Sequence, residues 1–138
     1  MNKDVYKGGC LCGRVHFEIT GEIQDIVYCH CSQCRKAQGS AFATNGNVAR
    51  KSFHFIKGEG ELSGYESTPG QTKYFCKTCG SPIISKNTTT PNTVRVRLGV
   101  IETDISGRPT AHIFVTSKAS WEEIAGDIPQ FDRYEPNR

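Results

Sequence analysis

Cys29-His30-Cys31-Ser32-Gln33-Cys34, continuing through Arg35-Lys36-Ala37-Gln38-Gly39-Ser40, is the stretch around which the chain is organised. Three thiols within six residues are too crowded for ordinary core cysteines. In an extended backbone Cys29 and Cys31 point to the same side. A tight turn through Ser32 and Gln33 then returns Cys34 beside them. Three thiolates converging from one loop supply three corners of a zinc tetrahedron, at a Zn–S distance of about 2.3 Å. No fourth ligand is local, and zinc with three protein ligands is the pattern of catalytic sites.

The other four of the seven cysteines come in two pairs. Gly8-Gly9-Cys10-Leu11-Cys12-Gly13 reads as a knuckle, with glycines letting backbone amides wrap closely around sulfur. Phe75-Cys76-Lys77-Thr78-Cys79-Gly80 is a second knuckle and the stronger single signal. Neither pair can hold zinc tetrahedrally alone. Joined, Cys10, Cys12, Cys76 and Cys79 make a closed structural site, whose binding free energy is folding free energy on the order of 10 kcal/mol. The triplet is then one ligand short. Three thiolates leave a zinc centre at net −1, a poor electrophile for a carbonyl but well suited to an incoming thiol, whose pKa coordination lowers. Arg35 and Lys36 are candidates for offsetting that charge or, with the Gly39-Ser40 turn, for holding substrate carboxylates.

Other readings stand beside this one. A disulfide framework is disfavoured by the odd cysteine count. Iron could replace zinc in thiolate knuckles. The triplet could be a second structural site, closed by a histidine or an acid. His30, between two ligands, is expected to face away from their metal. His16 falls on the polar face of its strand, and His54 and His112 read as structural residues.

At 138 residues the chain is expected to be one domain, 1–138, with no repeat or linker. No apolar run is long enough to span a bilayer. The first twenty residues carry Lys3, Asp4, Lys7, Arg14 and Glu18 and no apolar block, so no leader is expected and the compartment is read as the reducing cytoplasm. The formal charge of +3 invites a nucleic-acid reading. Seven thiolates on two divalent ions cancel that charge, and the case for nucleic acid goes with it.

The pattern is mainly β. Arg14-Val15-His16-Phe17-Glu18-Ile19-Thr20 alternates, with Val15, Phe17 and Ile19 on one face. Residues 25–28, 41–44, 52–56, 62–66, 72–75, 82–84, 93–100 and 111–115 are further strand candidates, with an exposed turn over 86–92. Ser32 is expected to cap a short helix that runs to about Gln38 and ends at Gly39. Ser120-Trp121-Glu122-Glu123 fits a capping box, and Trp121, Ile124, Ile128 and Phe131 follow near helical spacing. That helical spacing is interrupted at Gly126 and Pro129, and Trp121 is expected to serve as core or lid packing.

Gly9-Cys10-Leu11-Cys12-Gly13-Arg14-Val15, Cys29-His30-Cys31-Ser32-Gln33-Cys34-Arg35-Lys36, Gly39-Ser40-Ala41-Phe42 and Phe75-Cys76-Lys77-Thr78-Cys79-Gly80-Ser81 resemble the motifs of the glutathione-dependent formaldehyde-activating enzyme and centromere protein V family. The resemblance runs from about Lys7 to Phe131, with all seven cysteines in register. It implies a β-tent fold of small antiparallel sheets pinned by zinc. It also implies a structural zinc on Cys10, Cys12, Cys76 and Cys79 and a reactive zinc on Cys29, Cys31 and Cys34. The implied activity is of carbon–sulfur lyase type, with a small thiol such as glutathione and a small aldehyde such as formaldehyde as substrates. A non-catalytic zinc module for a protein or chromatin partner, or a thiol redox or metal sensor, is the rival function.

Overall fold

The structure is a computed structural model that describes residues 5–136. Ten strands form two sheets. The smaller is built from β1 (Val5–Gly9), β2 (His16–Thr20) and β5 (Phe53–Lys57), in the order β1-β2-β5. The larger has seven strands: β3 (Gln24–Cys29), β4 (Ala43–Ala49), β6 (Leu62–Thr68), β7 (Gln71–Cys76), β8 (Pro82–Asn87), β9 (Thr93–Arg97) and β10 (Ala111–Ile113). Their order is β10-β3-β4-β9-β8-β7-β6, and every pair is antiparallel except β10, which lies parallel to β3. The fold is thus mainly β, with one short helix, α1 (Ser32–Gln38), between β3 and β4. Among the described residues no helix is long and apolar enough to cross a membrane.

The alternation in β2 does what its pattern requires: Val15, Phe17 and Ile19 are buried in one cluster with Ile83, Ile84, Val94 and Val96 of the larger sheet. The two sheets therefore share a core. Packing is close enough that a Cβ on Gly8 would collide with the Phe17 ring. The same alternation turns Arg95 and Arg97 of β9 to the opposite face from Val94 and Val96. In register beside them stand Asn45 against Arg97, Asn47 and Ser85 against Arg95, and Lys73 against Ser85. One face of the larger sheet is apolar and the other carries a row of polar and cationic side chains.

Several expectations change. The strand expected over 93–100 ends at Arg97, where Leu98–Val100 turns into a 3-10 helix, and the one expected over 111–115 ends at Ile113, ahead of the 3-10 turn Val115–Ser117. β4 runs on through Asn45-Gly46-Asn47 to Ala49, past the Thr44 limit expected for it. It is held on one side by β3 and on the other by β9, so ladder bonds override the turn preference of Asn-Gly. The turn expected over 86–92 is shorter, because Lys86 and Asn87 belong to β8. The tail forms no helix. Glu122 N–H bonds the Ala119 carbonyl for one turn only, and the chain then runs beside β10, where Phe131 N–H donates to the His112 carbonyl and His112 N–H to that of Pro129. Proline at 129 and the left-handed Gly126 are incompatible with a continuous helix. Trp121, expected to pack, is 70% exposed.

Candidate metal centres and the adjoining cavity

Cys10, Cys12, Cys76 and Cys79 converge with all four sulfurs within 4.8 Å of one another. Cys10 follows β1 and Cys76 ends β7, so the cluster joins the small sheet to the large one. The sulfurs of Cys10 and Cys12 are 3.6 Å apart and those of Cys12 and Cys76 3.8 Å apart. A tetrahedron with 2.3 Å Zn–S bonds has edges of about 3.8 Å, so these separations suit zinc. Cys12 and Cys79 are shifted toward the thiolate, whereas Cys76 is raised, the backbone bond from Cys79 being outweighed by burial and by the neighbouring thiols of Cys79 and Cys12. Val15 N–H donates to Cys10 Sγ at 3.3 Å, the Ser81 hydroxyl lies 3.3 Å from Cys79 Sγ, and the latter contact leads the effects that hold Cys79 down to about 5. A hydrogen bond from the Arg14 backbone likewise lowers Cys12.

Cys29, Cys31 and Cys34 form the second cluster, with the same mutual limit of 4.8 Å. Cys29 ends β3, held between Ala43 of β4 and Ile113 of β10. Cys31, not Ser32, caps α1: its sulfur accepts the Cys34 N–H at 3.3 Å. The cap that starts the helix is therefore a candidate ligand. Gly39 closes α1 in the left-handed conformation, φ 63°, as the sequence leads one to expect. Hydrogen bonds from the Cys29 and Cys34 thiols, with Lys73 adding its charge, pull Cys31 down to about 2. The same contacts with Cys31 and Cys34 push Cys29 up.

No His, Asp or Glu among the described residues completes the triplet. His30 points away, as expected of a residue between two ligands. It is fully buried, and its Nε2 lies 2.9 Å from Nδ1 of His112. His54 is exposed on β5.

The triplet opens on a cavity of about 420 Å³, within the range of small-molecule sites. Its walls are the triplet and Ser32 on one side, Ile113 and Phe114 on another, and the polar face of the larger sheet opposite. Lys73, Arg95, Arg97 and Asn45 line it. Burial lowers the Arg97 pKa, against a raising influence of Cys34 and then Cys29 and Cys31. The guanidinium and the thiols therefore share one electrostatic environment. Arg35, Lys36, Gly39 and Ser40 are not among the residues lining this cavity. Arg35 is half-buried and donates from Nε to the Ser117 carbonyl at 3.2 Å, while Lys36, Gly39 and Ser40 are exposed on and after the helix.

The cations at the cavity thus come from strands remote in sequence. A signal for them existed in Val94-Arg95-Val96-Arg97, where alternation with buried valines sends both arginines to one face. Nothing local said that Cys29 would lie across from that face.

A crystal structure of a protein from Rhodobacter sphaeroides has the same fold, with a TM-score of 0.62 over 90% of this chain and 98% of that one at 22% identity. The family model of the glutathione-dependent formaldehyde-activating enzyme matches residues 5–117, from the first strand through the turn that walls the cavity. That span contains both cysteine clusters and the cationic face opposite the triplet, and the chain belongs to the glutathione-dependent formaldehyde-activating enzyme family.

Proposed function

We propose that the chain is a zinc-dependent enzyme of carbon–sulfur lyase type that joins a small thiol to a small aldehyde such as formaldehyde, or releases the aldehyde from the adduct. The observation that carries this reading is the Cys29, Cys31 and Cys34 cluster, which faces a cavity and gains no fourth ligand from the described residues. Cys10, Cys12, Cys76 and Cys79 would hold a second zinc with a purely structural role. A zinc ion on the triplet supplies one chemical service: it binds the sulfur of a thiol and lowers its pKa, so that the sulfur is a nucleophile at neutral pH.

The chain's own residues do the rest. The Cys34 N–H bonded to Cys31 Sγ draws electron density from that ligand and fixes its direction. Ile113 and Phe114 keep one wall apolar, and Lys73 and Arg97 balance the negative charge of the cysteines. Arg35 holds the 3-10 turn Val115–Ser117, and with it Ser117, at the cavity wall. In the forward direction a carbon–sulfur bond forms and the carbonyl π bond breaks. The proton lost by the thiol is matched by one gained at the aldehyde oxygen, so the reaction is redox-neutral. The polar side of the cavity suits the alcohol product.

The test is metal content and coordination with and without glutathione. Two zinc ions per chain are expected, with cobalt in the triplet site changing its absorption on addition of glutathione and the four-cysteine site unchanged. Formation of the S-hydroxymethyl adduct from glutathione and formaldehyde should follow the triplet's metal occupancy. A triplet that proves saturated by protein ligands, or whose spectrum ignores thiols, overturns the enzyme reading in favour of a zinc-dependent binding module.

A further inference from the structure

We infer that a second cavity, walled by Tyr65, Tyr74, Phe75, Pro82 and Ile84, receives an apolar substituent of the carbonyl substrate. The preferred aldehyde is then an aryl or alkyl one rather than formaldehyde. This rests on the reading of the triplet as the place where a thiol attacks an aldehyde.

The cavity has a volume of about 450 Å³ and shares two residues, Lys73 and Arg97, with the cavity at the triplet. Helix α1 contributes to both. Ser32, Gln33 and Cys34 at its start line the triplet side, and Ala37 in its last turn lines the apolar side. Gln33 clips the helix to the sheet, its Nε2 donating to the Thr68 hydroxyl at the end of β6 at 3.0 Å. Tyr65 of the same strand stands in register with Lys73. The two cavities therefore meet at Lys73 and Arg97, which are also the only charged residues lining the apolar one among the described residues.

Aromatic and aliphatic walls with a few converging polar groups are the make-up of a small-molecule site. Tyr65 is 66% exposed, so the chain itself leaves its ring uncovered. Tyr74 is held in place: a Cβ on Gly64 would come within 3.0 Å of its ring, and Lys86 Nζ lies 5.4 Å from the ring centroid. Formaldehyde has no substituent to place in such a space. An aldehyde whose aryl or alkyl group fills it brings its carbonyl to the junction, within reach of a sulfur held at the triplet. As the carbon–sulfur bond forms, the carbonyl π pair moves to oxygen, which takes up the proton that the thiol gives up. Lys73 and the buried Nε of Arg97, which has no hydrogen-bond partner, are the donors at that junction for the developing charge.

The experiment uses the zinc-loaded protein with glutathione as the thiol and follows carbonyl loss from formaldehyde, butanal and phenylacetaldehyde. Each rate is taken relative to the same reaction without protein. The enhancement should rise along that series, by about fourfold for each methylene buried. Tyr65→Ala removes an exposed wall and Ala37→Phe fills the space from the helix. Each should lower the ratio of kcat/KM for phenylacetaldehyde to that for formaldehyde by about tenfold. Ile56→Ala, exposed on the other sheet, should leave the ratio unchanged. 2-Phenylethanol, which cannot react, should bind the wild type in calorimetry and bind both cavity variants more weakly. The inference is overturned if formaldehyde is enhanced as much as phenylacetaldehyde, or if the ratio ignores both variants. It is also overturned if 2-phenylethanol does not bind and Tyr65→Ala instead dissolves a dimer seen by sedimentation. Failure of the thiol reading looks different: 2-phenylethanol would bind and weaken in the variants, yet no aldehyde would react faster than without protein. That outcome removes the carbonyl assignment together with the reading and leaves an apolar ligand site.

Discussion

The two cysteine clusters use the same donor atom at similar spacing, yet they sit in opposite positions in the topology. Cys12 and Cys76 are 64 residues apart in sequence, and their cluster ties the edge of one sheet to the end of a strand in the other. Cys29, Cys31 and Cys34 belong to one loop, already shaped by the end of β3 and the start of α1. Metal at the first site closes a long loop and its binding energy becomes fold stability. Metal at the second closes a loop that hydrogen bonds have nearly closed, so its binding energy is left for a ligand. On the function proposed above, topology rather than ligand chemistry would separate a structural role from a reactive one.

The sharpest way to break this contrast is to remove one sulfur from each cluster. Cys76→Ser should forfeit most of a binding energy on the order of 10 kcal/mol, comparable to the whole stability of a domain this size. The expected outcome is loss of the cooperative melting transition and of the β-type circular dichroism. Cys31→Ser should keep both, with a melting point within a few degrees of wild type, while turnover of thiol and aldehyde falls by about a hundredfold or more. Equal unfolding of the two variants would show that both clusters hold the fold together.

The division into four and three cysteines was legible because ligand spacing is local: Cys-x-Cys, Cys-x-Cys-x-x-Cys and Cys-x-x-Cys each declare themselves within a few residues. Strands with clean alternation, such as the one holding Val15, Phe17 and Ile19, were legible for the same reason. The cavity wall was not. Arg97 faces Asn45 across a strand pair and Cys29 across a space, and both relations depend on a strand order that no local pattern encodes. The tail misled in another way. Ser120-Trp121-Glu122-Glu123 is a good helix start, but Phe131 and its neighbours gain more by pairing with β10 and packing on the cluster that includes Cys29 and Cys34.

A smaller effect tests how the triplet loop is held. His30 is buried between two candidate ligands, and the 2.9 Å contact with His112 is the one side-chain partner of its Nε2. His112→Phe preserves the ring's contact with Tyr28 but leaves that nitrogen unpaired, at a cost of about 2 kcal/mol. Chemical denaturation should show this loss with an unchanged slope. The four-cysteine cluster should keep its metal and the triplet should release its own more readily to a chelator. Equal release from both sites would mean that the histidine pair supports the general core rather than the loop.

The smallest expected effect separates Arg35 from Lys36, adjacent cations that sequence alone treats alike. Arg35 reaches back from α1 to the Ser117 carbonyl, and Ser117 lines the cavity, whereas Lys36 is exposed and reaches no cavity wall. Arg35→Ala should let the Val115–Ser117 turn shift, raising KM for the thiol a few-fold, as expected for loss of one hydrogen bond of about 1 kcal/mol. Lys36→Ala should change neither KM nor kcat beyond error at 0.15 M salt, where a solvated charge this far from the substrate is largely screened. A stronger effect of Lys36→Ala would mean that the thiol approaches along the helix rather than across the sheet. The cations that matter would then be those beside the cysteines in sequence, and the cationic sheet face would serve only to balance the charge of the thiolates.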